Sequence, residues 1–233
     1  MAKPHGTTKS SLRAFSSPEK KHLRFRDRRL LLFFFGVIGL ILVVAVLFSS
    51  VLRRQLPDPT AQPGVGHLLG EVQLQGPATH QTVTEADLEG SIVLLHFWGL
   101  WCPPCRRELP MVSVVEAQWD RPPEVRVLAV ACAMPGSSQS NLEVRRQVEP
   151  YLVDRGMGLP VYTDRGGVTR RNVAIAFGEG MALAGYPTTL LLDPELRIYA
   201  VWRGYRVGNQ VQMEQQISRL LGQKQPSTRH PGR

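Results

Sequence analysis

Cysteine is scarce in this chain, with only three among its 233 residues. A structural zinc site usually takes four cysteine or histidine ligands. The sequence offers one C-x-x-C pair, Cys102 and Cys105, a lone Cys132, and no histidine at ligand spacing nearby. A c-type haem requires histidine directly after the second cysteine, and Arg106 is there instead. No metal site and no haem attachment are therefore expected.

Acidic residues are outnumbered by basic ones, 19 to 28, which gives a formal net charge of +9. A charge of this sign is typical of partners such as nucleic acid or a membrane surface. Residues 1–29, however, hold nine of the basic and two of the acidic residues, so this tail carries +7 and the rest of the chain +2. The nearly balanced body argues against nucleic-acid binding.

One long apolar run, residues 30–52, follows the basic tail and contains no charged side chain. At about 1.5 Å per residue, a helix of this length crosses a hydrocarbon core about 30 Å thick. The run exceeds the roughly 7–15 apolar residues of a cleaved signal peptide, and no clean cleavage site follows it, which favours an uncleaved signal-anchor in the lipid bilayer. The positive-inside rule then places the N-terminus in the cytoplasm and the remaining chain on the other side of the membrane.

The remaining chain divides into three parts. Residues 53–64 contain three prolines and are typical of a semi-extended linker. Residues 65–221 have the length of one domain, and residues 222–233 form a polar, flexible tail.

Strand and helix patterns alternate along the domain, which predicts an α/β fold with antiparallel strands at its end. Continuous apolar runs predict buried strands over 91–98 and 125–132. Ser140 and Glu143 have the spacing of a capping box at the start of a predicted helix. The other expected elements are helices from about 103 and over 140–156, 167–178 and 209–222, a strand over 159–164, and a hairpin over 188–202.

The pair Cys102 and Cys105 lies between a predicted buried strand and a predicted helix. A helix N-terminus has unpaired N–H groups and partial positive charge, so a Cys102 thiolate there is stabilised. Cys105, one turn further on, can resolve a mixed disulfide formed at Cys102. Pro103 and Pro104 suit the first turn, which needs no N–H from them. A purely structural disulfide is the alternative, although so short a loop gives little entropic stabilisation.

A family resemblance is carried by two stretches, DLEGSIVLLHFWGLWCPPCRRELP (87–110) and GYPTTLLLDPELRI (185–198). In these stretches the sequence resembles the membrane-anchored TlpA/ResA-like thiol–disulfide oxidoreductases of the thioredoxin superfamily. The resemblance covers about residues 83–221. It implies a thioredoxin-like fold, in which helices flank a central mixed sheet, behind a single N-terminal transmembrane helix. It also implies that the redox-active disulfide of Cys102 and Cys105 is used without a further cofactor.

The resemblance implies where a substrate docks. Pro187 corresponds to a cis-proline that faces the disulfide, and with Tyr186 and Thr188 it would pair with an extended substrate backbone. Trp101 is expected to be an exposed contact surface beside Cys102. The segment FGEGMALAGYPTT (177–189) is longer than the usual approach to this proline, so the resemblance does not imply the shape of the groove there.

Two ionisable residues are candidates for tuning the thiols. Glu108 lies three residues after Cys105 on the same helical face, where relatives use an acid; the alternative is a solvated residue balanced by two adjacent arginines. His96 stands six residues before Cys102, where the superfamily often has Asp or Asn. It can carry the proton of the resolving step, but the favoured alternative is a packed, hydrogen-bonded histidine. Cys132 is expected to be a buried small hydrophobe rather than a third redox thiol.

The expected function is protein-disulfide reduction outside the cytoplasm. The resemblance implies a reductant of exported proteins, such as apocytochrome c, that is recharged by a membrane thiol donor. Two alternatives remain: a disulfide oxidant in protein folding, and a non-catalytic module for binding or metal delivery.

Overall fold

The computed structural model describes residues 25–54, 56–77 and 81–224. The chain divides at residues 53 and 54 into two compact units. The first described element is helix α1, Phe25–Arg54, and its segment Leu31–Ser50 is long and apolar enough to cross a membrane. The predicted basic tail lies outside the described residues except for 25–29, and the predicted C-terminal tail except for 222–224.

The second unit alternates strands and helices, and each predicted element is present with ends within three residues of those expected. Ser140 caps its helix, and the capping box with Glu143 is formed. The strands are β1 (Leu74–Gln75), β2 (Thr82–Val83), β3 (Ile92–Trp98), β4 (Val125–Ala131), β5 (Val161–Asp164), β6 (Thr188–Leu192) and β7 (Ile198–Arg203). The helices are α2 (Pro103–Trp119), α3 (Asn141–Val153), α4 (Val168–Ala176) and α5 (Asn209–Lys224).

The strands of the described residues form one mixed sheet in the order β2-β1-β5-β4-β3-β6-β7. Strands β3, β4 and β5 are parallel, while β6 pairs antiparallel with both β3 and β7. All seven residues of β3 are buried. A strand at the centre of such a sheet is covered on both faces, which explains why its sequence is an almost continuous apolar run.

Helices cover both faces of this sheet. On one face α2, α3 and α5 pack against β3 residues such as Trp98 and Leu94. On the other face α4 and the N-terminal part of the unit pack against Leu95 and Phe97. We call these the α2 face and the α4 face. Since α2 begins just after β3, the cysteine pair lies at the carboxyl end of this central strand.

Arg145 of α3 holds the chain between β1 and β2. Its buried guanidinium donates to the carbonyl oxygens of Gln75, Gly76 and Pro77 at 3.3, 2.6 and 2.8 Å. We expect Arg145→Met to lower the free energy of unfolding by about 2–4 kcal/mol, because these oxygens lose charged donors. Urea unfolding of the full chain in detergent micelles measures this. Arg146→Met, an exposed neighbour, is the control, and equal losses in both variants would contradict the expectation.

Candidate active site

The Cys102 and Cys105 side chains form a disulfide at the start of α2, with their Cα atoms 5.3 Å apart. Cys102 is the N-cap residue, and the N–H of Cys105 donates to its Sγ at 3.3 Å. When the pair is reduced, this donor favours negative charge on the Cys102 sulfur. Cys105 is fully buried and Cys102 is 4% exposed. Cys102 is therefore the sulfur that a substrate reaches first.

The segment before β6 lies against this sulfur. The Tyr186–Pro187 peptide bond is cis, and the Tyr186 carbonyl oxygen is 3.6 Å from Cys102 Sγ. The carbonyl of Pro187 accepts the N–H of Gly204 at 2.8 Å. Thr188 is buried, and its hydroxyl donates to a carbonyl within its own turn. Among the predicted docking residues, Tyr186 is thus the one whose main-chain carbonyl lies next to the Cys102 sulfur.

Trp101 is half-buried rather than exposed as predicted. Its indole N–H donates to the Cys132 carbonyl oxygen at 3.0 Å, and its ring meets Tyr186 edge-on with centroids 5.2 Å apart. A Cβ at Gly99 would overlap the Trp101 ring, so glycine is required there. Trp101 therefore links the loop after β4 to the loop before Pro187.

Glu108 is 1% exposed, so the alternative of a solvated residue is wrong. Asn209, the first residue of α5, donates to Glu108 Oε1 at 3.1 Å, and Oε2 has no hydrogen-bond partner among the described residues. Burial raises the Glu108 pKa to about 7, and the Asn209 bond offsets only part of this effect. A carboxyl group one turn from Cys105 consequently changes charge near neutral pH.

His96 is fully buried on the α2 face. Its Nδ1 lies 2.8 Å from the hydroxyl of Thr189, the residue opposite it on β6, while Nε2 has no partner in the described part of the chain. Burial lowers the His96 pKa to about 3, so the ring is neutral at neutral pH. This geometry fits the packed, hydrogen-bonded histidine, and a proton-carrying role stays a prediction.

Sequence reasoning missed two residues, one that bonds to Glu108 and one that lies near Cys132. Asn209 lies 101 residues from Glu108 along the chain, and nothing in its amphipathic helix marks it as a partner. Arg170 of α4 lies near Cys132, which the structure buries at 3% exposure. Burial raises the Cys132 pKa to about 11, so that thiol stays protonated at neutral pH. No cluster of three potential metal ligands occurs among the described residues.

A dithiol at the start of a helix, beside a cis-proline that leads into an antiparallel strand, defines a thioredoxin-like thiol–disulfide redox protein. The chain belongs to the AhpC/TSA family, whose model matches residues 65–201.

Individual relatives agree with this class. The thiol-disulfide oxidoreductase ResA of Halalkalibacterium halodurans is 30% identical over 141 residues, which cover 60% of this chain and 68% of that protein. ResA of Oceanobacillus iheyensis is 26% identical over 189 residues, or 80% and 88% of the two chains. A solved Chlorobium tepidum protein, assigned as thiol:disulfide interchange protein DsbE, has a TM-score of 0.52 at 25% identity and covers 68% of this chain and 98% of its own. The predicted fold and enzyme class, a thiol–disulfide oxidoreductase, are confirmed.

Proposed function

We propose that this chain is a membrane-anchored reductant of disulfides in exported proteins, such as apocytochrome c, and that it works on the periplasmic side of the membrane. The observation that carries the proposal is the asymmetry of the cysteine pair. Cys102 Sγ meets the N–H of Cys105 at 3.3 Å and the carbonyl of Tyr186 at 3.6 Å, whereas Cys105 is fully buried. The apolar segment Leu31–Ser50 supports the anchor.

The reaction begins with both cysteines reduced. The Cys102 thiolate attacks one sulfur of the substrate disulfide, and the other substrate sulfur leaves as a thiolate that takes up a proton. The Cys105 thiol loses its proton and attacks Cys102 Sγ, which releases the second substrate thiolate and forms the Cys102–Cys105 disulfide. Two electrons have then passed from enzyme to substrate.

Substrate docking falls to the main chain of Tyr186. The carbonyl of Pro187 is already paired with Gly204, whereas Tyr186 lies directly beside the Cys102 sulfur. An extended substrate segment that pairs there would bring its own cysteine to Cys102. The dithiol needs no organic cofactor or metal ion, and a membrane thiol donor returns it to the reduced state.

The reduction potential of the Cys102–Cys105 pair tests the direction of electron flow. We expect a value near that of thioredoxin, about −270 mV, for the full chain in detergent micelles equilibrated with dithiothreitol or glutathione buffers. A value near that of DsbA, about −120 mV, would instead mean a disulfide oxidant in folding. A Cys132→Ala variant is the control for the third thiol and should give the same value.

Insulin-disulfide reduction by the same preparation tests catalysis itself. Turnover supports an enzyme. Binding of partner polypeptides without any turnover by the reduced wild type would instead identify a non-catalytic module, such as a metallochaperone.

A further inference from the structure

A pocket of about 260 Å³ is lined by Arg170 of α4 and by Tyr186, the residue whose carbonyl oxygen lies against Cys102 Sγ. One wall comes from the loop after β4, residues 133–139, and another from residues 181–186 before Pro187. The second wall belongs to the segment that is longer than the usual approach to this proline. The segment in which the chain departs from the family pattern therefore forms one wall of the pocket.

Arg170 is the one charged residue among the described residues that line this pocket. Its side chain is 32% exposed, whereas that of Asp164 behind it is fully buried. The Asp164 carboxylate accepts the N–H groups of Thr169 and Arg170 at 3.0 Å each, and its Oδ2 lies 3.8 Å from Arg170 Nε. The first N–H groups of α4 thus bind the Asp164 carboxylate, and this carboxylate fixes the position of the Arg170 guanidinium. Because Asp164 is buried behind Arg170, a group that enters the pocket meets the positive charge of Arg170 first.

The remaining lining is neutral and partly apolar. Met134 and Met181 are among its exposed side chains, and they suit the methylene groups of a side chain better than a bare inorganic ion. A bound lysine or arginine would face the charge of Arg170 with no acidic group in the lining to offset it. The chemistry of the pocket thus favours a carboxylate on a short aliphatic stem.

Tyr186 belongs both to the pocket and to the reactive site. It lines the pocket, and its main-chain carbonyl oxygen is 3.6 Å from Cys102 Sγ. An extended chain advances about 3.3 Å per residue. A substrate strand paired with Tyr186 therefore carries the side chains next to its own cysteine past the mouth of the pocket.

We propose that this pocket is a specificity subsite, which receives an aspartate or glutamate side chain within two residues of the substrate cysteine that Cys102 attacks. The proposal rests on the proposed function, since it requires a polypeptide substrate docked along Tyr186. The guanidinium of Arg170 pairs with the substrate carboxylate, and the methionines cover its stem.

The test uses the full chain in micelles and three disulfide peptides that differ only in having Glu, Gln or Lys beside the cysteine. We expect kcat/KM for the Glu peptide to exceed that for the Gln peptide by about fivefold, and the Lys peptide to be the poorest. Arg170→Gln should bring the Glu/Gln ratio to about one, and Arg170→Lys should keep part of it. The matched control is Arg171→Gln, which removes the same charge one residue along α4, outside the pocket lining, and should keep the full ratio.

Two failures are distinguishable. A wild-type Glu/Gln ratio of one, or an unchanged ratio in Arg170→Gln, would overturn the subsite, while turnover of the Gln peptide would leave the proposed function standing. Turnover of none of the peptides would overturn the proposed function. The subsite is then judged by calorimetry with peptides that carry serine in place of cysteine: tighter binding of the Glu peptide, by about fivefold, supports it, and equal binding overturns it.

Discussion

Cys102→Ser is expected to lose protein-disulfide reduction, by at least about a thousandfold in kcat/KM, because it removes the attacking sulfur. Cys105→Ser is expected to behave differently, by accumulating covalent complexes with its substrates. Cys105 is fully buried and Cys102 is not, so only Cys102 can make the first attack. Without Cys105, the mixed disulfide at Cys102 has no internal thiol to resolve it.

Two measurements separate these outcomes. Insulin reduction gives the rate, and non-reducing gels of cells that express each variant show the covalent complexes. Cys132→Ser is the matched control, because its buried thiol stays protonated at neutral pH and the substitution should leave both readouts unchanged. Complexes in Cys102→Ser together with none in Cys105→Ser would reverse the assigned order of attack.

Local patterns were sufficient for the positions of the strands and helices from β3 onward and of the cysteine pair. The apolar run of β3 reflects burial on both faces, and the capping box of Ser140 and Glu143 is a local interaction of four residues. Each of these signals is complete within a short window of sequence, which is why it can be read there.

The surroundings of the pair could not be predicted in the same way, because distant segments create them. Glu108 follows two arginines, a context typical of a solvated helix, but α5 covers it and Asn209 bonds to it. The wall of the pocket beside Arg170 is likewise formed by two loops whose paths depend on the tertiary structure. Helical spacing placed Glu108 on the face of Cys105, yet its ionisation depends on its burial in the tertiary structure and on the hydrogen bond from Asn209.

Glu108 and His96 are both buried, and their pKa shifts have opposite effects on stability. The folded pKa of Glu108 is raised from 4.5 to about 7. The unfolded chain therefore releases this proton first, and the stabilisation present below about pH 4.5 is lost as the pH rises to 7. The folded pKa of His96 is lowered from 6.5 to about 3. Its contribution is complete above about pH 6.5 and is lost as the pH falls towards 3.

Glu108→Gln should remove the loss of stability that Glu108 causes as the pH rises from about 4.5 to 7. We compare the free energy of unfolding of the variant with that of the wild type, after subtracting any difference that does not depend on pH. We expect this difference to grow from zero near pH 4.5 to about 3 kcal/mol in favour of the variant at pH 7 and above, at about 1.4 kcal/mol per pH unit. The glutamine Oε1 can still accept the Asn209 hydrogen bond, so the substitution mainly removes the ionisation. For His96→Asn, the free energy of unfolding relative to the wild type should instead grow as the pH falls, from zero near pH 6.5 to on the order of 5 kcal/mol near pH 3.

Urea unfolding of the full chain in micelles, at half-unit steps from pH 3 to 8, measures both differences. Between about pH 4.5 and 6.5 the two residues oppose each other in the wild type, because one proton is released on unfolding while another is bound. Each single variant should therefore show a slope that the wild type hides, rising with pH in Glu108→Gln and falling in His96→Asn. Glu89→Gln, the same change at an exposed position, should follow the wild-type profile. Parallel profiles for Glu108→Gln and the wild type would mean that the carboxyl group is already ionised in the folded protein, and that Glu108 cannot change the charge beside Cys105 near neutral pH.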